Sequence, residues 1–358
     1  MLELKPFSKK ALLAVSLGLL SLGALGTPAQ AQLASQPNDP LYVNMEQWSL
    51  GVYHVPAAFA RASGKNIKVA IFSYKIDANH YDLRGKVTKL GNQNYDHGFV
   101  TGTNMALLIA GKANNGMGGT GIAPDAEILD VQVYDQAGVK NVDSIVNGIE
   151  LARQAGAKIL VFDFERIFRS EFPNYTDLQR INNALRAFHD QHNGLVFIGS
   201  GDSNSTDSGQ QRFGHINVIS GWNRMYQTGS SVRGPAVTFS CNKTGPGWAN
   251  SNPNTPSPNS TRHAAAEAAG VAALVWSYNP SVPNTEVERI LYETCTRTSN
   301  HDRNDHYGYG FPNADLAIQR MPAPQKIWNS KIRTLRDLLG RDAELHIVPG
   351  PRVGPIGF

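Results

Sequence analysis

Short apolar runs alternate with amphipathic segments along this chain, the pattern of strands and helices that builds an α/β domain. Lys68–Ser73 (KVAIFS) and Ala126–Tyr134 (AEILDVQVY) predict buried strands. Val142–Glu165 opens with apolar residues at Ile145, Ile149 and Ala152, one face of an amphipathic helix, and runs into the strand ILVFD. Asp177–Gln191 predicts a helix and Gly194–Asn204 a strand with its turn. Strands follow near Ile216–Gly221 and Ala236–Ser240, then a helix over Asn284–Arg297. One segment departs from amphipathic patterning: Ser260–Pro280 (STRHAAAEAAGVAALVWSYNP) is apolar on every side and built from small residues, as suits a buried central helix packed closely by its neighbours. Ser260 and Thr261 offer caps for its start. Its head nevertheless carries Arg262 and His263, with Glu267 on the same face as His263, one turn on. Charge there is either a paired structural feature or a site.

The 358 residues suffice for one large α/β domain or two small ones. Residues 1–31 read as a signal peptide, with Lys5, Lys9 and Lys10, the apolar run Ala11–Leu25, and Ala29-Gln30-Ala31. That run is too short to span a membrane comfortably, so the expectation is an exported, secreted or periplasmic protein with no membrane span. The net charge of +4 is carried by the ends: the leader holds +2 and residues 322–358 hold +3, which leaves −1 for residues 32–321. The body therefore gives no electrostatic case for nucleic acid. Cys241 and Cys295 leave two readings open, one disulfide in an oxidising compartment or two buried thiols. From Pro322 a basic, proline-punctuated tail begins, with a short helix expected at Ile332–Leu339.

The helix head carries a resemblance. Thr261, Ala264, Ala269 and Gly270 match the serine-bearing helix of subtilisin-like (S8) peptidases, Gly-Thr-Ser-Met-Ala-x-Pro-His-Val-Ala-Gly. Arg262 stands at the nucleophile's place, Ala266 at the proline's and Glu267 at the histidine's. Pro37–Gly64 resembles the start of the mature domain in thermitase-like members, with only Gln32–Gln36 before it and so no room for the usual propeptide. Thr101–Pro124 resembles the histidine helix and the Asn-rich loop after it. The resemblance runs from Pro37 to about Gln319. It implies one three-layer α/β domain over residues 32–321, a mostly parallel sheet with helices on both faces.

It also implies that the catalytic positions are occupied by Ser73, Thr101, Asp202 and Arg262, in place of aspartate, histidine, oxyanion-binding asparagine and serine. His97 is a rival for the histidine if four extra residues follow it, but Thr101 keeps everything downstream in register. Arginine stays protonated and offers only donors, so it is no acyl-transfer nucleophile. Ser73 cannot orient a histidine as a carboxylate does, and Asp202 would repel a developing oxyanion. Phe164 and Glu165 replace small residues at the edge where family members pair with substrate, which should obstruct it. Asp163, Glu165, Asp202, Arg262, His263 and Glu267 are expected at one end of the sheet. They form either a salt-bridge network, Arg262 with Asp202 or Asp163 and His263 with Glu267, or a remodelled ligand pocket. The family's Ca²⁺ site maps onto the side chains of Asp39, Asp82 and Asn115 with the carbonyls of Lys112, Met117 and Gly119. The expected function is that of an exported pseudopeptidase that binds a peptide, protein or envelope ligand. The alternative is a working secreted endopeptidase or other hydrolase with a remodelled site.

Overall fold

The computed structural model describes residues 36–91, 98, 100–135, 137–165, 174–206, 214–245, 248, 259–297 and 303–324. The leader, His97 and Ile332–Leu339 lie outside these residues, as does the side chain of Glu165. The strands are β1 (Lys68–Ser73), β2 (Val87–Leu90), β3 (Glu127–Gln132), β4 (Ile159–Glu165), β5 (Leu195–Gly199), β6 (Asn217–Trp222) and β7 (Val237–Asn242). They form one parallel sheet in the order β2-β3-β1-β4-β5-β6-β7. Strands β5, β6 and β7 are buried at every position, and β5 (LVFIG) accordingly reads as an unbroken apolar run. Edge strand β2 (VTKL) is partly exposed, and its mixed pattern gives no strand signal in the sequence.

Three four-residue helices open the domain: α1 (Pro40–Val43), α2 (Ser49–Val52) and α3 (Val55–Ala58). The longer helices are α4 (Thr101–Ala110), α5 (Val142–Gln154), α6 (Tyr175–Asp190), α7 (Thr261–Tyr278) and α8 (Asn284–Thr294), followed by the short α9 (Ala314–Arg320). One face of the sheet, with Val69, Ile71, Ile128 and Val161, packs against α4 and α7. The other face, with Phe72, Val131, Leu160 and Phe162, packs against α5 and α6. The result is the three-layer α/β fold, with α7 buried from Thr261 to Trp276 except for the Arg262 side chain. Small residues bring it close: a Cβ on Gly199 at the end of β5 would lie 2.8 Å from the carbonyl carbon of Thr261. The chain divides into two units, Met1–Pro322 and Ala323–Phe358.

Parallel strands put the heads of α4 and α7 and the carboxyl ends of β1, β4 and β5 at one end of the sheet, where open α/β sheets place their sites. Register extends the β1 face onto its neighbour, pairing Ile71 with Asp130 and Ser73 with Gln132.

Candidate functional site

Two side chains cap the head of α7, and a third hydrogen bond ties it to the turn after β5. Ser260 accepts the Arg262 N–H (3.2 Å) and also the Arg262 Nε–H (2.9 Å). Asp202, just beyond β5, accepts the Thr261 N–H at 2.7 Å. Thr261 Oγ1 in turn accepts the Gly201 N–H at 3.1 Å. The Arg262 guanidinium reaches the fully buried carboxylate of Asp163 at 3.6 Å, with 31% of its own side chain exposed. Of the two partners expected for Arg262, Asp163 is thus the ion pair, and Asp202 serves the backbone as a cap. Helix-end N–H groups are the donors that acyl-transfer sites aim at an oxyanion. Here Asp202 and Ser260 occupy them.

Two tyrosines seal the neighbouring strand ends. The Tyr74 and Tyr134 rings stack with centroids 3.6 Å apart at 6°. Tyr134 donates its hydroxyl to the Asp163 carbonyl at 3.1 Å. Burial pushes the Tyr74 hydroxyl up, the Asp163 charge adds to this and the Arg262 charge opposes it. Lys140 lies over the Phe164 ring, 5.1 Å from its centroid. This part of the strand edge is therefore covered by side chains and has a backbone acceptor engaged. The tyrosines were missed in the sequence, although Tyr74 directly follows Ser73 in the same motif.

Ser73 ends β1 fully buried, and Gly102 packs so tightly on it that a Cβ there would collide with its hydroxyl. Thr101 is the first residue of α4, half-buried. Neither is an imidazole or a carboxylate, so the pair offers no general base with an orienting acid.

The expected pairing of His263 with Glu267 is corrected by the structure. Both are buried, but Glu267 accepts hydrogen bonds from Ser49 Oγ (2.9 Å), Tyr53 OH (2.6 Å) and Asn242 Nδ2 (3.4 Å). Burial pushes its carboxyl up to about 7, against the pull of these donors. Glu267 is thus an internal clamp between α7, the N-terminal segment and β7. A buried cation went unnoticed in the sequence: Lys243, just after β7, donates to the Thr228 carbonyl (3.1 Å), Ser230 Oγ (3.1 Å) and Ser231 Oγ (3.4 Å). Cys241 and Cys295 are both buried, free thiols.

Asp39 and Asp82 meet at the loop after α4. Asp39 is fully buried, and its carboxylate accepts the N–H groups of Asn114 (2.8 Å), Asn115 (3.0 Å) and Gly116 (3.2 Å) and the Thr120 hydroxyl (2.6 Å). Asp82 accepts from Asn115 Nδ2 (2.5 Å) and Trp248 Nε1 (2.9 Å). Burial pushes the Asp82 carboxyl up to about 6, with the Asp39 charge adding to it. Among the described residues, no backbone hydrogen bond outside helices and strands ends on the carbonyls of Lys112, Met117 or Gly119. No three His, Cys, Asp or Glu side chains come together as a metal set among the described residues. The side chains of Asp39, Asp82 and Asn115 do meet at this loop, with Asn115 Oδ1 accepting the Met117 N–H at 2.9 Å.

Known proteins resemble this arrangement of elements. The model of the Subtilase family (Peptidase S8) matches residues 64–310. M-protease of Shouchella clausii (strain KSM-K16) is 30% identical over 285 residues, 76% of this chain and 70% of that protein. Thermitase of Thermoactinomyces vulgaris is 35% identical over 131 residues, 35% of this chain and 46% of that protein. A solved structure from Pseudoalteromonas arctica PAMC 21717, described as of its proteases, superposes with a TM-score of 0.62 at 20% identity, covering 80% of this chain and 99% of that one. At that identity the likeness is one of fold.

Proposed function

The chain belongs to the subtilase family, and from that premise we propose that it is a member without peptidase activity, acting by binding. One observation carries the reading: where the family has its nucleophile, Arg262 spends its backbone N–H on Ser260 and its guanidinium on Asp163. The arrangement holds cations, carboxylates and covered strand ends, which can recognise polar groups but cannot transfer an acyl group. The ligand class we infer is a peptide, a protein or an envelope component, met outside the cytoplasm after export through the leader at residues 1–31. Asp39, Asp82 and Asn115, with the carbonyls of Lys112, Met117 and Gly119, would hold Ca²⁺. Bound there, the ion would neutralise the two buried carboxylates and fix the loop between α4 and β3.

The test is labelling of the purified protein with an active-site-directed fluorophosphonate, together with a casein assay. The expected result is no labelling and no cleavage, for the parent and for Arg262→Ser alike, because Ser73 and Thr101 still supply neither orienter nor base. Cleavage that is abolished by changing one serine overturns the proposal.

A further inference from the structure

We propose that the carboxyl edge of β2, β3 and β1 forms a binding site for a small zwitterion of the amino-acid or dipeptide class. The starting point is β3, whose sequence EILDVQ interrupts an apolar run with Asp130 and Gln132. Both lie on the sheet face that carries Ile71 and Ile128. Asp130 is 3% exposed. Its Oδ2 accepts one long hydrogen bond, 3.4 Å from the Ile76 N–H, and its Oδ1 has no hydrogen-bond partner. A buried carboxylate oxygen without a donor is costly, and any apolar residue would serve packing better at this position.

That carboxylate forms the inner wall of a cleft of about 460 Å³, also lined by Lys75, Asp77, Lys89, Thr103 and Gln132. The volume lies within the range of small-molecule sites, about 300–1,000 Å³. Lys89 is the cross-strand partner of Asp130 and shares its face, at the exposed side of the sheet edge. Lys75 approaches from the loop after β1, and the positive charges of Lys89 and Lys75 both act on Asp130. Asp77 belongs to the same loop, fixed by its N–H on Thr103 Oγ1 (2.9 Å).

Among the described residues the lining holds two ammonium groups and two carboxylates and no net charge, so it favours neither a simple anion nor a simple cation. Asp130 Oδ1 lacks a donor, and an ammonium group at the inner wall supplies one through a charge-assisted hydrogen bond. The ligand's carboxylate then faces Lys75 and Lys89 at the rim. Ile76 and Val87 add an apolar lining sized for a short backbone.

The experiment is isothermal titration of the full chain with glycylglycine at pH 7.5, beside N-acetylglycylglycine and glycylglycinamide, each of which lacks one charge. Saturable binding of glycylglycine is expected, weakened about tenfold or more when either charge is removed. Asp130→Asn and Lys89→Gln should weaken it similarly, with melting temperatures no lower than the parent's. Lys89 is at an exposed edge, so that variant reads binding even if Asp130→Asn should fail to fold. No saturable binding to the folded parent overturns the proposal, as does undiminished binding by Lys89→Gln or equal binding of the N-acetylated probe. Serine labelling plays no part in this readout, so the site and the absence of peptidase activity stand or fall separately.

Discussion

Arg262 and Asp163 make an unequal pair, one partly in solvent and the other fully out of it. Arg262→Ala would strip a buried carboxylate of this counter-ion, at a cost between the ~1 kcal/mol of exposed pairs and the ~3–5 kcal/mol of buried ones. Replacing both residues by leucine should recover most of the loss in chemical denaturation, since no orphan charge remains. A double variant as unstable as the single one would refute the pairing. Glu267 makes a pH prediction. Its folded-state value of about 7 lies above the ordinary 4.5, so the folded protein holds this proton more tightly than the unfolded chain. Its contribution to stability is therefore full below about pH 4.5, falls as pH rises towards 7 and is flat beyond. The change amounts to about 3 kcal/mol. Glu267→Gln should flatten that part of the stability–pH curve, and an unchanged slope in the variant would contradict the assignment. The sequence singled out Ser73, Thr101, Asp202 and Arg262 through the family resemblance, each inside a motif of its own. It hid the partners of Glu267, since Ser49 and Tyr53 lie more than two hundred residues away along the chain. It hid Asp130 for a related reason: alternation shows that a strand residue is buried, not what it faces.

At the scale of elements, α7 works by closeness. Its small residues let it contact β4, β5, β6 and β7, and Gly199 leaves no space against Thr261. Gly199→Ala must push the helix head away, disturbing the Asp202 cap, and should cost about 1–3 kcal/mol as overpacking does. Denaturation of the variant at wild-type stability would show that the helix can shift freely. Elements with strong periodicity were legible nearly to the residue: β1 spans Lys68–Ser73 as read, and α6 spans Tyr175–Asp190 against Asp177–Gln191. The helix expected to reach Arg297 stops at Thr294. The four-residue helices α1, α2 and α3 are too short to complete an apolar stripe, so they gave no periodic signal.

For the molecule as a whole, alternation of strands and helices gave the α/β class, whereas the three layers were read from the family resemblance. Strand order is set by contacts between segments far apart in the chain, and no local period reports it. The loop between α4 and β3 is tied to the N-terminal segment through Asp39 and to Asp82, so the calcium proposed there should be felt globally. Excess chelator is expected to lower the melting temperature, because an ion bound to the folded state alone stabilises it by mass action. An unchanged curve from metal-free protein would remove calcium from the account. The Glu267 clamp has a consequence in time. Tyr53 and Glu267 are 214 residues apart. At a synthesis rate of about 5–20 residues per second, roughly 10–40 s pass between the making of the tyrosine and of its acceptor. Through that interval the opening segment has no Glu267 to dock on, so the first part of the domain to be made is among the last to reach its buried place.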